Sequence, residues 1–340
     1  MDTYNSKEFG EFQLQLLTSR FNDANSLFIK AMQVKPISSG IMMKDTVKAY
    51  MDLLRLHFFF VWPLLFCSGL FLAFQYYENF SLSLIARAAL IGFFGFEAGF
   101  ILNDIVDAEI DKKDVEFDKL TKYWRPFGKR PISQGLIPRR NAILIFALLV
   151  SVTTVLIFTL PLTHAFYVLG IMIICYCLEY FYQITKRNET FPFAQLIGRI
   201  DFTLFPLAGY LCLGNPDLNV LFFALFFYPL AMAHLGLNDI ADVVNDEARG
   251  VKTIPTLYGM KATTYWILGF TIIHFATALN FLRVLGFLAL AGFTASFALL
   301  SIGNAIILKS KTAVSGMKVL PLFHLSMLIY TIFIILNYFA

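Results

Sequence analysis

Two stretches of this sequence set carboxylates at spacings that suit a divalent cation. The first reads Asn103-Asp104-Ile105-Val106-Asp107-Ala108-Glu109-Ile110-Asp111, the second Asn238-Asp239-Ile240-Ala241-Asp242-Val243-Val244-Asn245-Asp246. Both follow the pattern N-D-x-x-D-x-x-x-D and start 135 residues apart. On a helix, positions i, i+3 and i+7 share one face. Asp104, Asp107 and Asp111 therefore form one acidic stripe with Asn103 beside it, and Asp239, Asp242 and Asp246 form another with Asn238. Like charges so placed repel one another, and near a bilayer they resist desolvation. A divalent cation relieves both problems. Magnesium prefers oxygen ligands, keeps several waters, and is commonly held by one or two carboxylates plus substrate phosphates. Two facing stripes would clamp a diphosphate through such ions and neutralise it as it leaves. The run that follows, Asp111, Lys112, Lys113, Asp114 and Asp118, alternates acid with lysine and is expected to be an exposed helix face.

Cations surround both motifs. Lys186 and Arg187 end an apolar stretch, after Tyr180 and Tyr182. Arg130 precedes Pro131, and Lys252 sits in Arg249-Gly250-Val251-Lys252-Thr253. Each suits phosphate oxygens, arginine as a fork and lysine as a point charge, and each also anchors a helix end at the membrane surface. Arg55 and Arg199 lie amid apolar residues, where a charge turns toward an interior or a cavity. Phe93, Phe94, Phe96 and Phe100 precede the first motif, and Phe222, Phe223, Phe226, Phe227 and Tyr228 the second. Aromatic faces attract cations, so such walls would shelter an allylic carbocation. The five histidines share no metal-ligand spacing; His234 lies one turn before Asn238, within reach of a substrate there.

These residues must be positioned by membrane helices. Of 340 residues, 58% are hydrophobic, only 15% are charged, and 38 are Phe. One soluble core cannot hide so much apolar surface. Nine stretches of roughly 20 apolar residues read as spans: 53–74, 84–103, 141–160, 164–184, 193–213, 218–237, 264–282, 285–308 and 319–339. Lys and Arg recur on every second loop, Arg283 excepted. The positive-inside rule places those loops, both motifs and the N-terminus in the cytoplasm, and an odd count places the C-terminus opposite. Residues 1–50 form an extension in which Phe12, Leu16, Phe21 and Phe28 suit an interfacial helix, ahead of one membrane domain over 51–340. Cys67, Cys175, Cys177 and Cys212 fall in apolar stretches and are expected to be buried thiols. No basic run is interleaved with polar readout residues, so nucleic acid is not an expected partner.

At these residues the chain resembles the UbiA superfamily of intramembrane prenyltransferases. The likeness rests on Asn103–Asp111, Gly128-Lys129-Arg130-Pro131-Ile132-Ser133 with Gly135, Tyr182 through Lys186, Gly198-Arg199, and Asp239–Asp246 leading into Gly250-Val251-Lys252-Thr253. It spans roughly 50–340. The resemblance implies an all-α, polytopic bundle of nine helices around a central cavity, capped by cytoplasmic loops. It implies two magnesium ions bridged by diphosphate, with Asn103, Asp107 and Asp111 in the first metal site and Asp239, Asp242 and Asp246 in the second. Lys186, Arg130 and Lys252 would contact diphosphate or aid its departure, and Arg55, Tyr182 and Arg199 would also face substrate. Two features depart from the pattern: Phe117 through Trp124 look inserted, and residues 1–50 have no obvious equivalent.

The expected reaction is magnesium-dependent transfer of a polyprenyl group from its diphosphate to a lipophilic acceptor, an aromatic ring or a prenylglyceryl phosphate. Asp107, Asp242 and Lys186 are its expected catalytic residues. A membrane terpene cyclase of the same superfamily is one alternative. A cation transporter is another, although its carboxylates belong near the bilayer midplane and these lie at the edge.

Overall fold

The computed structural model describes residues 39–340, with side chains from residue 44 on. The interfacial helix expected around residues 12–28 lies outside the described residues. The chain divides at residue 47: residues 39–47 are helical, and residues 48–340 hold the bundle and the site.

Among the described residues, all regular structure is helical. A helix α1 (Ser39–Leu53) leads to α2 (Val61–Tyr77) and α3 (Leu82–Val106). A short α4 (Leu120–Trp124) lies in the long connection to α5 (Arg139–Ile157) and α6 (Leu162–Thr185). Then come α7 (Ile200–Leu211), α8 (Leu218–Arg249), α9 (Ile254–Phe281), α10 (Phe287–Ser310) and α11 (Ala313–Asn337).

Eight described segments are long and apolar enough to cross a membrane. They correspond to eight of the nine expected spans, and the break at Arg283 does separate α9 from α10. The fifth expected span, 193–213, is different. It is a wide helical turn over Ala194–Gly198, a kink at Arg199, and then the twelve-residue α7. At about 1.5 Å per residue α7 measures about 18 Å, short of the roughly 30 Å hydrocarbon core. The cause is local. Pro192 precedes the turn, and Arg199 and Asp201 carry charge into the segment, so the chain bends to aim both at the cavity. In the other direction α8 outruns its apolar stretch, staying helical through Arg249 and so carrying the whole second motif.

Lipid is as apolar as leucine, so helices here associate by close packing of small residues rather than by burial from water. The α2–α7 contact shows this. A Cβ on Gly209 would come within 1.8 Å of the Phe66 carbonyl oxygen, and one on Gly69 within 2.0 Å of that of Pro206. Helix α2 also packs on α3 and α11, α6 on α3 and α7, and α8 on α7, α9 and α11. The result is a ring of α2, α3, α6, α7, α8 and α11, with α5 against α3 and α10 against α11 on the outside. One large aromatic and aliphatic core fills it, with Phe66, Phe74, Tyr210, Phe226, Phe293 and Tyr330 almost wholly buried.

Candidate active site

The ring opens at one end into a cavity of about 260 Å³. Its deep wall is aromatic. Trp62 and Phe96 stack with centroids 3.8 Å apart, Phe100 and Phe205 meet Phe96 edge-on, and Phe202 closes the side. Its mouth is polar and carries both motifs.

The first motif begins in α3, which ends at Val106. The backbone keeps its turn a little further, since Asp107 N–H donates to Asn103 O and Asp111 N–H to Asp107 O, each at 2.9 Å. Asn103, Asp107 and Asp111 thus rise one above another and line the cavity. Asp107 accepts from Lys186 Nζ at 2.6 Å and meets Arg187 at 3.3 Å. Asp111 pairs with Arg130 at 2.6 Å. Burial pushes the Asp107 carboxyl above the usual carboxylate range, and Lys186 offsets this only in part.

Asp104 corrects the stripe read from the sequence. It does not line the cavity. It is buried on the shoulder of α3, accepting from Arg55 at 3.0 Å and from Arg125 at 2.8 Å. The reason is its partners rather than its angle: Asp239 holds the same place in the second motif and lines the cavity, whereas Asp104 is engaged by Arg55 and Arg125. Asp104 therefore holds Arg55, whose guanidinium sits 3.8 Å from the Phe100 ring and borders the cavity. Burial lowers the Arg55 pKa to about 10 although Asp104 acts to raise it.

The second motif stays inside α8. Asn238, Asp239, Asp242 and Asp246 all line the cavity. Their neutral partners are Gln195 on Asp239 at 3.5 Å, Asn245 on Asp242 at 2.9 Å and Thr253 on Asp246 at 3.0 Å. Asn245 also accepts from the N–H groups of Val115 and Glu116 and donates to Glu116 O, pinning the loop after the first motif onto α8.

One guanidinium joins the two halves. Arg249 reaches Asp114 at 2.5 Å and Asp111 at 3.4 Å on one side, and Asp242 at 3.0 Å and Asp246 at 3.3 Å on the other. The motifs therefore stand at the same end of the bundle, within the span of a single side chain. Asp114, expected on an exposed face, is instead buried between Arg130 and Arg249, because the helix stops at Val106 and a tight turn at 111–113 redirects the chain inward. Lys112, Lys113 and Asp118 are exposed, as the alternation suggests.

A third wall comes from α6 and the kink. Glu179 accepts from Asn103 at 2.9 Å and from Arg199, and Gln183 links Glu179 to Lys186. Arg199 lies 3.7 Å from the Tyr182 ring, and Lys186 Nζ lies 4.9 Å from it. Gly198 permits this approach, since a Cβ there would come within 2.6 Å of Tyr182 Cβ. Arg130, Tyr182, Lys186 and Arg199 all border the cavity. Lys252 does not. The left-handed turn at Gly250 reverses the chain, Lys252 N–H donates to Lys186 O at 2.6 Å, and Thr253 faces inward in its place.

Arg125, Arg249 and Glu179 are further residues of the site that the sequence does not single out. Arg125 and Arg249 look like any other cation of the positively charged loops. Glu179 carried a usable signal, an acid inside an apolar span.

Among the described residues, no three His, Cys, Asp or Glu side chains converge to hold a metal by themselves. The oxygens on offer still suit a hard cation that draws further ligands from water and phosphate. Asn238 Oδ1 is buried at the cavity wall without a hydrogen-bond donor, and both motifs present carboxylates to the same cavity.

Known proteins agree with this architecture. A solved structure concerning digeranylgeranylglyceryl phosphate synthase superposes with a TM-score of 0.63 at 20% identity, covering 86% of this chain and 98% of that one. An apo UbiA homologue from Aeropyrum pernix K1 gives 0.61 at 18%, covering 80% and 97%. A UbiA homologue from Archaeoglobus fulgidus bound to DMAPP and Mg²⁺ gives 0.62 at 16%, covering 84% and 98%. At these identities the likeness is one of fold. No curated protein matches the sequence. The model of the UbiA prenyltransferase family matches residues 60–331, which takes in both acidic motifs and every helix that walls the cavity, and the chain belongs to that family.

Proposed function

We propose that this protein transfers a polyprenyl group from its diphosphate to a lipophilic acceptor, releasing diphosphate. The observation that carries the reading is Arg249, one guanidinium in contact with acids of both motifs. Arms that close can share one diphosphate. Asn103, Asp107 and Asp111 would hold one magnesium, and Asn238, Asp239, Asp242 and Asp246 a second. Magnesium would supply charge neutralisation for the departing diphosphate.

The chain's own residues do the rest. Lys186, Arg130 and Arg249 stand at the mouth with N–H donors now engaged by carboxylates, ready to pass to phosphate oxygens. Charge-assisted donors of this kind are roughly twice as strong as neutral ones. Trp62, Phe96, Phe100, Phe202 and Phe205 give the allylic chain a dry wall whose ring faces attract positive charge by about 0.5–2 kcal/mol each. The Asn245 clamp ties the loop at 115–116 to α8 while donating to Asp242; a mouth closed in this way would keep out water, which would quench the cation. The alternation of Lys and Arg on the loops supports a cytoplasmic mouth and an opposite C-terminus.

The test uses full-length protein in nanodiscs with labelled geranylgeranyl diphosphate and magnesium. A para-hydroxybenzoate and a prenylglyceryl phosphate are supplied in turn. Transfer predicts a prenylated product with one of them, matched by diphosphate and lost on chelation. A cyclic hydrocarbon made without acceptor would overturn the reading.

A further inference from the structure

His234 sits in the cavity wall on α8, one turn before Asn238. Its ring lies nearly parallel to that of Phe202, at a centroid distance of 6.1 Å. Its Nε2 is 2.7 Å from Nε2 of His324 on α11, and Nδ1 of His324 is 2.6 Å from the hydroxyl of Tyr123. Tyr123 belongs to α4, within the stretch that looks inserted relative to the family. It also borders an open surface groove with Asp118, Lys119, Lys122, Val314 and Met317. A chain of three side chains thus leads from the cavity to a wet face.

His274 provides the contrast. It is fully buried away from the cavity, and both its nitrogens are used, by Phe226 O and by the Tyr330 hydroxyl, each at 2.9 Å. That histidine is structural. His234 has one nitrogen engaged and Nδ1 left for the cavity.

Two neutral tautomer sets satisfy the chain. In one, Tyr123 donates to His324 and His324 to His234, leaving His234 Nδ1 protonated. In the other, His324 Nδ1–H donates to the Tyr123 oxygen, His234 Nε2–H donates to His324, and His234 Nδ1 carries a free lone pair. The second set makes a base.

We propose that His234 is the base that takes the proton released when the acceptor is prenylated, with His324 and Tyr123 holding it in the accepting tautomer. This rests on the transfer reading above. The acceptor's nucleophilic atom bonds to the allylic carbon. Its C–H or O–H bond breaks, the electron pair stays with the acceptor, and the proton goes to His234 Nδ1. The extra proton is shared between the two rings across the short Nε2–Nε2 contact, which spreads its charge in an apolar setting. Water takes it when product and diphosphate leave. His234 is the catalytic residue; His324 and Tyr123 position it.

The measurement is the ratio of prenylated acceptor to prenyl alcohol, made by full-length protein in nanodiscs from geranylgeranyl diphosphate, magnesium and each acceptor above. His234→Gln keeps a hydrogen bond to His324 but has no basic nitrogen. The ratio is expected to fall about 100-fold, the low end of what a general base contributes. In His234→Gly, added imidazole is expected to restore part of the transfer, which a packing role would not allow. Tyr123→Phe is expected to lower the ratio by a smaller factor. An unchanged ratio in His234→Gln, including a parallel loss of both products, overturns the proposal. If that variant is not monodisperse, His324→Gln is read the same way, and an unchanged ratio there also overturns it. Failure of the transfer reading is seen separately, as absence of prenylated acceptor from the unmodified protein.

Discussion

The two acidic motifs share a pattern and differ in almost everything around it. The first sits where its helix ends, and its acids are met by charged partners: Arg55 and Arg125 on Asp104, Lys186 and Arg187 on Asp107, Arg130 on Asp111. The second sits inside an unbroken helix. Its acids lean on neutral donors, Gln195, Asn245 and Thr253, and Arg249 is the cation that pairs with Asp242 and Asp246. The equivalent residues Asp104 and Asp239 have parted company. Asp239 faces the cavity, while Asp104 has become the anchor of two buried arginines. A repeated motif is thus a repeated backbone geometry, and the neighbours decide which of its acids are ligands and which are struts.

That contrast can be broken experimentally, and the largest effect belongs to the strut. Asp104→Ala strands Arg55 and Arg125 without a counter-charge. Losing one partner of a buried pair costs about 3–5 kcal/mol, so thermal unfolding in detergent should show a severely destabilised protein. A melting temperature near that of the unmodified protein would refute the strut assignment. Asp239→Ala, its counterpart by pattern, should be far less destabilising.

Next come Asp107→Ala and Asp242→Ala. Each should lower transfer by about 10²–10³-fold, the range for removing one preorganised electrostatic contact. Expression and monodispersity should hold. Near-normal turnover in both would remove them from the metal sites.

Asn245→Ala should loosen the loop at 115–116 by about 1–3 kcal/mol, the cost of leaving buried polar groups unpaired. Faster amide exchange at Val115 and Glu116 is the direct reading. The smallest effect is expected for Lys252→Ala. Its link to Lys186 runs through the backbone, so transfer should change by less than about twofold; a large loss would return Lys252 to the diphosphate site.

The sequence and the structure divide this account along physical lines. Composition and span length were enough for a helical membrane protein, because about 20 apolar residues can cross a bilayer in only a few ways. The motif spacing was enough to put Asp107 and Asp111 on one face, and Asp239, Asp242 and Asp246 on another, since side-chain direction along a helix is fixed by its pitch. Even Arg199 was marked by its apolar surroundings. Local rules could not foresee that α3 stops at Val106 or that Asp114 turns inward to meet Arg249. Those outcomes depend on partners more than 100 residues away, such as the Asn245 clamp on the loop at 115–116 and the Arg249 link to Asp114. Likewise His234 was visible as a histidine near a motif, but its bond to His324, 90 residues on, exists only once α8 and α11 pack together. The sequence by itself determined which residues share a helix face, because that is set by bonds along the chain. Only the tertiary structure decided which faces meet, because that is set by packing and charge between segments distant in sequence.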